Sequence, residues 1–302
     1  MNKNNVIIIT GPTASGKSGL AINLAKKVNG EIISCDCIQV YKELNIGSAK
    51  VTPEEMQGIP HYLINILEPN EEFNVSDFIN LTDKYIKDIL KRNKVPIIVG
   101  GTGLYIKALV EGYNLNAVEK DIEYRKYLKN ILETNGNVYL YDMLKALDED
   151  KAKSLNVNDT VRIIRALEVI KNGNKKVENK KLDYNFKIFA INFDRAILYD
   201  RINKRVDLMI NAGLIDEVKY LKEKYNLTKE SQSMKGIDYK ETLDYLEGNI
   251  SKETLIDLIK QKTRNYAKRQ ITFIKGINNV NYLNSDDNNK NLENILKELK
   301  WN

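Results

Sequence analysis

The 302 residues carry 47 basic and 41 acidic side chains, a formal charge of +6, and 42% of them are apolar. Two cysteines and one histidine, His61, argue against a zinc site, and exclude a Ser-His-Asp triad unless His61 served in it. No apolar run is long enough to cross a membrane, and Val6–Ile9 alone is too short for a secretory signal. A cytoplasmic protein with reduced cysteines and a sizeable core is expected, and its mild basicity permits a nucleic-acid partner without requiring one.

Val6–Ile9 reads as a buried strand that runs into Gly11-Pro12-Thr13-Ala14-Ser15-Gly16-Lys17-Ser18, with a helix over Gly19–Val28. Strand, glycine-rich turn and helix together make a phosphate-binding loop. Successive N–H groups and the helix N-terminus face an anion, Lys17 adds a full charge, and the Ser18 hydroxyl can ligate Mg²⁺. The loop identifies a phosphorylated ligand but not whether a nucleotide is cleaved or a whole diphosphate expelled. Glu31–Cys35 is the next expected strand. Asp36 follows at its carboxyl end, where ligands bind in open α/β sheets, and a carboxylate there can hold Mg²⁺ through water or accept a proton. The plainer reading makes Asp36 a turn cap. Cys35 and Cys37, two apart, cannot form an ordinary disulfide.

A third strand, Ile97–Val99, ends in Gly100-Gly101-Thr102-Gly103 rather than the metal-holding aspartate of a motor-type ATPase. The glycines would let a substrate approach the backbone, and Thr102 could instead simply cap the next helix. From about Asn116 to Leu182 the pattern is helical, with Tyr124–Glu133, Val138–Leu147 and Thr160–Lys171 the clearest segments before a loop around Gly173. A fourth strand is expected at Lys187–Asn192. Leu198–Tyr225 follows as a helix with a break near Gly213, on which Arg201 and Arg205 share one face suited to a diphosphate, or to pairing with Asp200 or Asp207. Leu258–Lys275 holds six basic and no acidic residues opposite an apolar stripe, a cationic face beside Tyr266 that would suit a nucleic-acid backbone. Val280–Leu283 is a last strand, and the polar C-terminus ends in a peripheral helix. The expected architecture is α/β: a P-loop NTPase-like parallel sheet flanked by helices, with a helical insertion domain. Its boundaries fall at residues 1–115 and 186–302 for the core and 116–185 for the insertion.

The motifs together resemble the tRNA dimethylallyltransferases of bacterial type. Besides the Gly11 loop they are Asp36-Cys37-Ile38-Gln39-Val40-Tyr41, Asn45 to Lys50, Pro60-His61 and Pro96 to Tyr105. Further along come Asn158-Asp159 with Arg162 and Arg165–Val169, Arg201-Ile202 with Arg205–Asp207, Gly213–Ile215, Tyr239–Glu241 and Thr263–Gln270. The resemblance implies transfer of a dimethylallyl group from dimethylallyl diphosphate to N6 of the adenosine 3′ of the anticodon, in tRNAs reading codons that begin with U. It implies Asp36 as base, Gln39 holding the extruded adenine, and the phosphate loop with Thr102 and Arg205 on the diphosphate, with Mg²⁺ at Ser18. It places tRNA on Asp36, Cys37, Ile38, Gln39, Thr102, Arg125, Arg162, Arg165, Lys268 and Arg269, with Val161–Arg165, Ser231–Gly236 and Lys268–Lys275 as contact segments. A monomer acting on the anticodon stem-loop is expected. Cys37 stands where the family has serine, Ser48 for threonine, Tyr62 for histidine, Phe273 for tryptophan, and Asp238 interrupts the usual Ile-Gly-Tyr. The competing expectations are a P-loop kinase of a nucleotide or small metabolite, and a non-catalytic RNA-binding protein.

Overall fold

The computed structural model describes residues 4–112, 121–173, 182–284 and 287–300. One parallel sheet in the order β3-β2-β4-β1-β5-β6 organises the larger unit. At its centre β1 (Asn5–Thr10) lies between β4 (Val95–Gly100) and β5 (Asn185–Ile191), with Ile7 paired to Ile97 and Ile8 to Ile188. The continuous apolar run of β1 follows from burial on both faces. Val6 and Ile8 enter one core cluster, while Ile7 and Ile9 enter the other. On the second face, α1 (Lys17–Val28) and α12 (Asn288–Glu298) cover the sheet with Leu20, Leu24, Leu292 and Ile295. The first face is covered by α3 (Val75–Lys91), α4 (Gly103–Glu111) and the helices beyond β5.

β2 (Gly30–Ser34) ends one residue before the expected Cys35, so Cys35, Asp36 and Cys37 lie in the turn beyond it. The short α2 (Pro53–Met56) and the two-residue β3 (His61–Tyr62) then extend the sheet edge. His61 is structural: it pairs with Ile32, and its Nδ1 bonds the Ile59 carbonyl at 2.8 Å. The expected long helix after β5 is two helices, α8 (Arg195–Asn211) and α9 (Leu214–Tyr225), parted by Gly213 at φ 98°. Next come α10 (Tyr239–Leu246), α11 (Lys252–Lys275) and β6 (Val280–Leu283).

Residues 112–180 form the second compact unit, described by itself. It comprises α5 (Ile122–Leu147), α6 (Glu149–Lys153) and α7 (Thr160–Lys171) around Leu128, Leu140, Leu144, Ile163 and Leu167. α5 is broken at Gly136 (φ 82°, ψ 175°), giving the two helices expected there. The junction near 115 and the loop beyond Gly173 lie outside the described residues. The unit does not extend to 185: Leu182 and Tyr184 pack on the α/β core, and Asn185 already pairs with Asn5.

Three of the expected tRNA-binding arginines lie in this unit. Arg125 and Arg165 both clamp the fully buried Glu168, Arg125 through Nε at 2.8 Å and Nη2 at 2.7 Å. Glu168 also accepts the Asp121 N–H at 2.8 Å. Burial pushes its carboxyl up, but the hydrogen bonds of Arg125 and Arg165 outweigh that and hold it below the ordinary glutamate value. Arg162 is different: it is exposed and, among the described residues, pairs with Asp159 alone, at 3.3 Å. Glu168→Ala leaves two guanidiniums over an apolar core and should cost about 3–5 kcal/mol, read as lost hydrogen-exchange protection along α7. Because the folded carboxyl value is depressed, this contribution is complete above the unfolded value near 4.5 and disappears as pH falls through the folded one.

Candidate active site

Three strand ends meet at one edge of the sheet. The phosphate loop leaves β1, the Asp36 turn leaves β2, and Gly100–Thr102 leaves β4. They enclose an open cavity with α8, α10 and α11, at the carboxyl edge where ligands bind in open α/β sheets.

Backbone geometry shapes the loop. Gly16 sits at φ 77° as the N-cap of α1, a conformation glycine adopts without strain. Lys17 Nζ donates to the Pro12 carbonyl at 3.2 Å and lines the cavity with Thr13 and Ser18. Burial, reinforced by the Arg205 guanidinium, pushes Lys17 down to about 8 against the pull of Asp36. Of the other loop residues, Gly11, Pro12, Ala14 and Ser15 are buried behind that wall and Gly16 is exposed.

Asp36 satisfies both readings of its position. Its Oδ1 accepts the Ile38 N–H at 2.8 Å and the Gln39 N–H at 3.1 Å, so it does cap the turn. The same side chain lines the cavity, and Oδ2 takes no part in the turn. Gln39 lies beside it, its Oε1 accepting from Ser34 Oγ at 3.1 Å and its Nε2 donating to Ser48 O at 3.1 Å. Glu217 braces that wall by accepting the N–H groups of Asn45, Ile46 and Gly47 and the Tyr239 hydroxyl.

Arg205 separates from Arg201. The guanidinium of Arg201 lies 4.4 Å from the Phe193 ring, while Arg205 lines the cavity. The acids once set against them are engaged elsewhere, Asp200 by Lys204 and Asp207 by Lys260. Arg205 makes no hydrogen bond or ion pair with any described residue. Burial lowers its pKa, with Glu55 and Asp238 opposing, yet a guanidinium remains charged at any ordinary pH. A half-buried cation without a partner among the described residues is costly unless an anion meets it.

Several expected residues stand elsewhere. Cys37 and Ile38 turn from the cavity to pack on the core, Ile38 facing Gly236. Burial and Asp36 hold the Cys37 thiol protonated, up at about 12, so it acts as a small apolar group where serine would offer a hydroxyl. The Thr102 hydroxyl is buried behind the wall; Cys37 and Tyr266 approach it, but no hydrogen bond forms and it does not cap α4. Gly100, which ends β4, and Gly101 line the cavity, and packing leaves neither of them room for a side chain. A Cβ at Gly100 would lie 2.0 Å from the Cys35 carbonyl oxygen, and one at Gly101 2.2 Å from Gln270 Nε2. On α11, Lys260 and Lys262 are neutralised by Asp207 and Glu241, which removes two of the six cations of the expected stripe. Lys268 and Arg269 remain exposed, beside Tyr199 and Tyr266.

Gln270, 5% exposed, is the brace the sequence did not reveal. Its Oε1 accepts the Thr13 N–H at 2.8 Å and its Nε2 donates to Gly101 O at 2.9 Å, tying the phosphate loop to the β4 turn. Gln270→Ala strands both groups, at about 1–3 kcal/mol each. The expected result is a lower melting temperature and weaker retention of inorganic diphosphate, measured by calorimetry.

Comparison with known proteins agrees with this geometry. The IPP transferase family model matches residues 39–277, and the isopentenyl transferase model matches residues 4–71. The tRNA dimethylallyltransferase of Thermoanaerobacter sp. (strain X514) is 48% identical over 97% of this chain and 96% of its own. The tRNA isopentenylpyrophosphate transferase of Bacillus halodurans superposes with a TM-score of 0.75 at 40% identity, over 98% of this chain and 96% of that one. A eukaryotic dimethylallyltransferase, captured in crystallographic snapshots acting on tRNA, gives 0.75 at 32% identity over 93% and 74%. The P-loop-like sheet, the cavity at its carboxyl edge and these likenesses place the chain in the IPP transferase family, among the tRNA dimethylallyltransferases.

Proposed function

We propose that the chain transfers the dimethylallyl group of dimethylallyl diphosphate to N6 of the adenosine 3′ of the anticodon in tRNAs reading codons that begin with U. The observation that carries this reading is one cavity holding two unlike halves: Lys17, Arg205 and the phosphate loop for an anion, Asp36 and Gln39 for a base. A kinase is not favoured, because β4 ends in glycines and the relatives are prenyltransferases.

The adenine amine is a poor nucleophile, its lone pair delocalised into the ring. Gln39 and the Gly47–Ala49 wall would position the base, which must leave the loop stack to enter. Asp36 Oδ2 accepts a proton from N6 as that nitrogen bonds the prenyl C1. The C1–O bond breaks, and the electron pair leaves on diphosphate toward Lys17 and Arg205. Ser18 presents its hydroxyl on the same wall, a hard oxygen donor that suits Mg²⁺, with diphosphate oxygens and water completing the shell. Bound there, Mg²⁺ would neutralise charge on the leaving group. Arg162, Lys268 and Arg269 are exposed cations available to the tRNA backbone.

The test is nucleoside mass analysis of unmodified tRNA incubated with enzyme, dimethylallyl diphosphate and Mg²⁺. N6-dimethylallyl adenosine at that one position is expected. ATP consumption driven by a small acceptor, with no modified nucleoside, would overturn the reading.

A further inference from the structure

We propose that Asp238 is a further substrate-contacting residue, its carboxyl group donating a hydrogen bond to a non-bridging oxygen of the diphosphate held by Lys17 and Arg205. The inference rests on the donor half of the function proposed above.

Asp238 opens α10 with φ 84° and ψ −46°, a backbone conformation that side chains other than glycine rarely adopt. Its neighbours impose it: the Asp238 N–H donates to Glu241 Oε2 at 2.9 Å, and its carbonyl accepts from Thr242 Oγ1 at 2.5 Å. The residue is 93% buried, as its 7% exposure implies, yet it lines the cavity, and Oδ1 has no hydrogen-bond partner. A buried, unpaired carboxyl oxygen on a strained backbone, aimed into the space that Arg205 also faces, points to a ligand atom as its partner.

The surrounding charges decide which form is present. Burial and the neighbouring Glu241 push the carboxyl up to about 8, and Arg205 on α8 opposes them only in part. Glu241 is itself bound to Lys262 of α11 at 2.7 Å, which blunts its influence. Lys17 and Asp36 stand across the cavity, and Tyr266 of α11 is held neutral by burial and by Cys37 and Asp36. At pH 7 the group is therefore mostly the neutral acid, an O–H donor compatible with an anion. Above pH 8 it becomes a second negative charge facing the diphosphate.

Inorganic diphosphate at fixed free Mg²⁺, titrated by calorimetry against the whole enzyme between pH 6.5 and 9.5, tests this without tRNA. Between pH 7 and 9 the donor form falls about tenfold, so the wild-type affinity should fall by at least about that factor. Lys17, also near 8, contributes to the same limb, so the comparison with variants carries the result. Asp238→Asn keeps a donor and tolerates the backbone. It should bind within about threefold of wild type at pH 7 and lose about tenfold of the alkaline weakening. Asp238→Gly, which relaxes the backbone and so should fold, is expected to bind about five- to tenfold more weakly at pH 7. A D238N profile that overlays the wild type, or a D238G affinity equal to it, would overturn the proposal. If diphosphate binds as expected but no tRNA is prenylated, the proposed function fails while this contact stands.

Discussion

Asp36→Asn should slow single-turnover prenyl transfer by about 10²–10⁴-fold while tRNA affinity, read by filter binding, stays within severalfold. Asparagine is the informative substitution because one oxygen of Asp36 already serves the fold. Its Oδ1 holds the Ile38 and Gln39 amides, and an asparagine carbonyl can continue to do so. Alanine would release that turn and with it Gln39, which locks the Ser34–Ser48 wall. Loss of rate in D36A would then mix geometry with chemistry. In D36N only the proton acceptor is removed, because the amide nitrogen that replaces Oδ2 has no basic lone pair. A rate within threefold of wild type would remove Asp36 from the role of base and leave it a turn cap.

How much of this was legible before the fold was known depends on sequence distance. The phosphate loop was legible because strand, turn, Lys17 and helix are contiguous, and because β1, buried on both faces, shows no alternation to confuse it with an edge strand. The broken α5 was legible as two separate helical segments, and the α8–α9 break from Gly213. β3 was not, since a strand of two residues has no periodicity; its existence depends on Ile32 and Ile33 offering a register. Periodicity put Arg201 and Arg205 on one face, but four residues of helix advance about 40° beyond a full turn. That rotation lets Phe193 take Arg201 while Arg205 enters the cavity. The partners that reassign other residues are remote in the chain. Glu168 lies 43 residues from Arg125, Glu217 about 170 from the loop it braces, and Gln270 lies 257 from Thr13. No local pattern announces such pairs. Asp238 differs in kind: its departure from the family motif was visible, but its burial, its strained φ and its unpaired oxygen belong to the fold alone.

Arg205→Ala should reduce kcat by about 10²–10³, equivalent to about 3–4 kcal/mol, without lowering the melting temperature. The two halves of that expectation have one cause. A half-buried guanidinium that lines the cavity beside Ile202, Val206 and Met209 and is bonded to no described residue contributes little to the folded state, so its removal costs the fold little or stabilises it. Its charge becomes useful when diphosphate departs and negative charge develops between Lys17 and α8. Lys17 should respond as well. Arg205 is one of the causes that lower it, so in R205A the ammonium titrates above about 8 and the alkaline limb of diphosphate binding moves to higher pH. Arg205→Lys should recover only part of the rate, because a point charge replaces the planar fork that meets two phosphate oxygens at once. A kcat for R205A within threefold of wild type, or a melting temperature lowered by many degrees, would mean that the guanidinium is a structural group and that the leaving group is stabilised elsewhere.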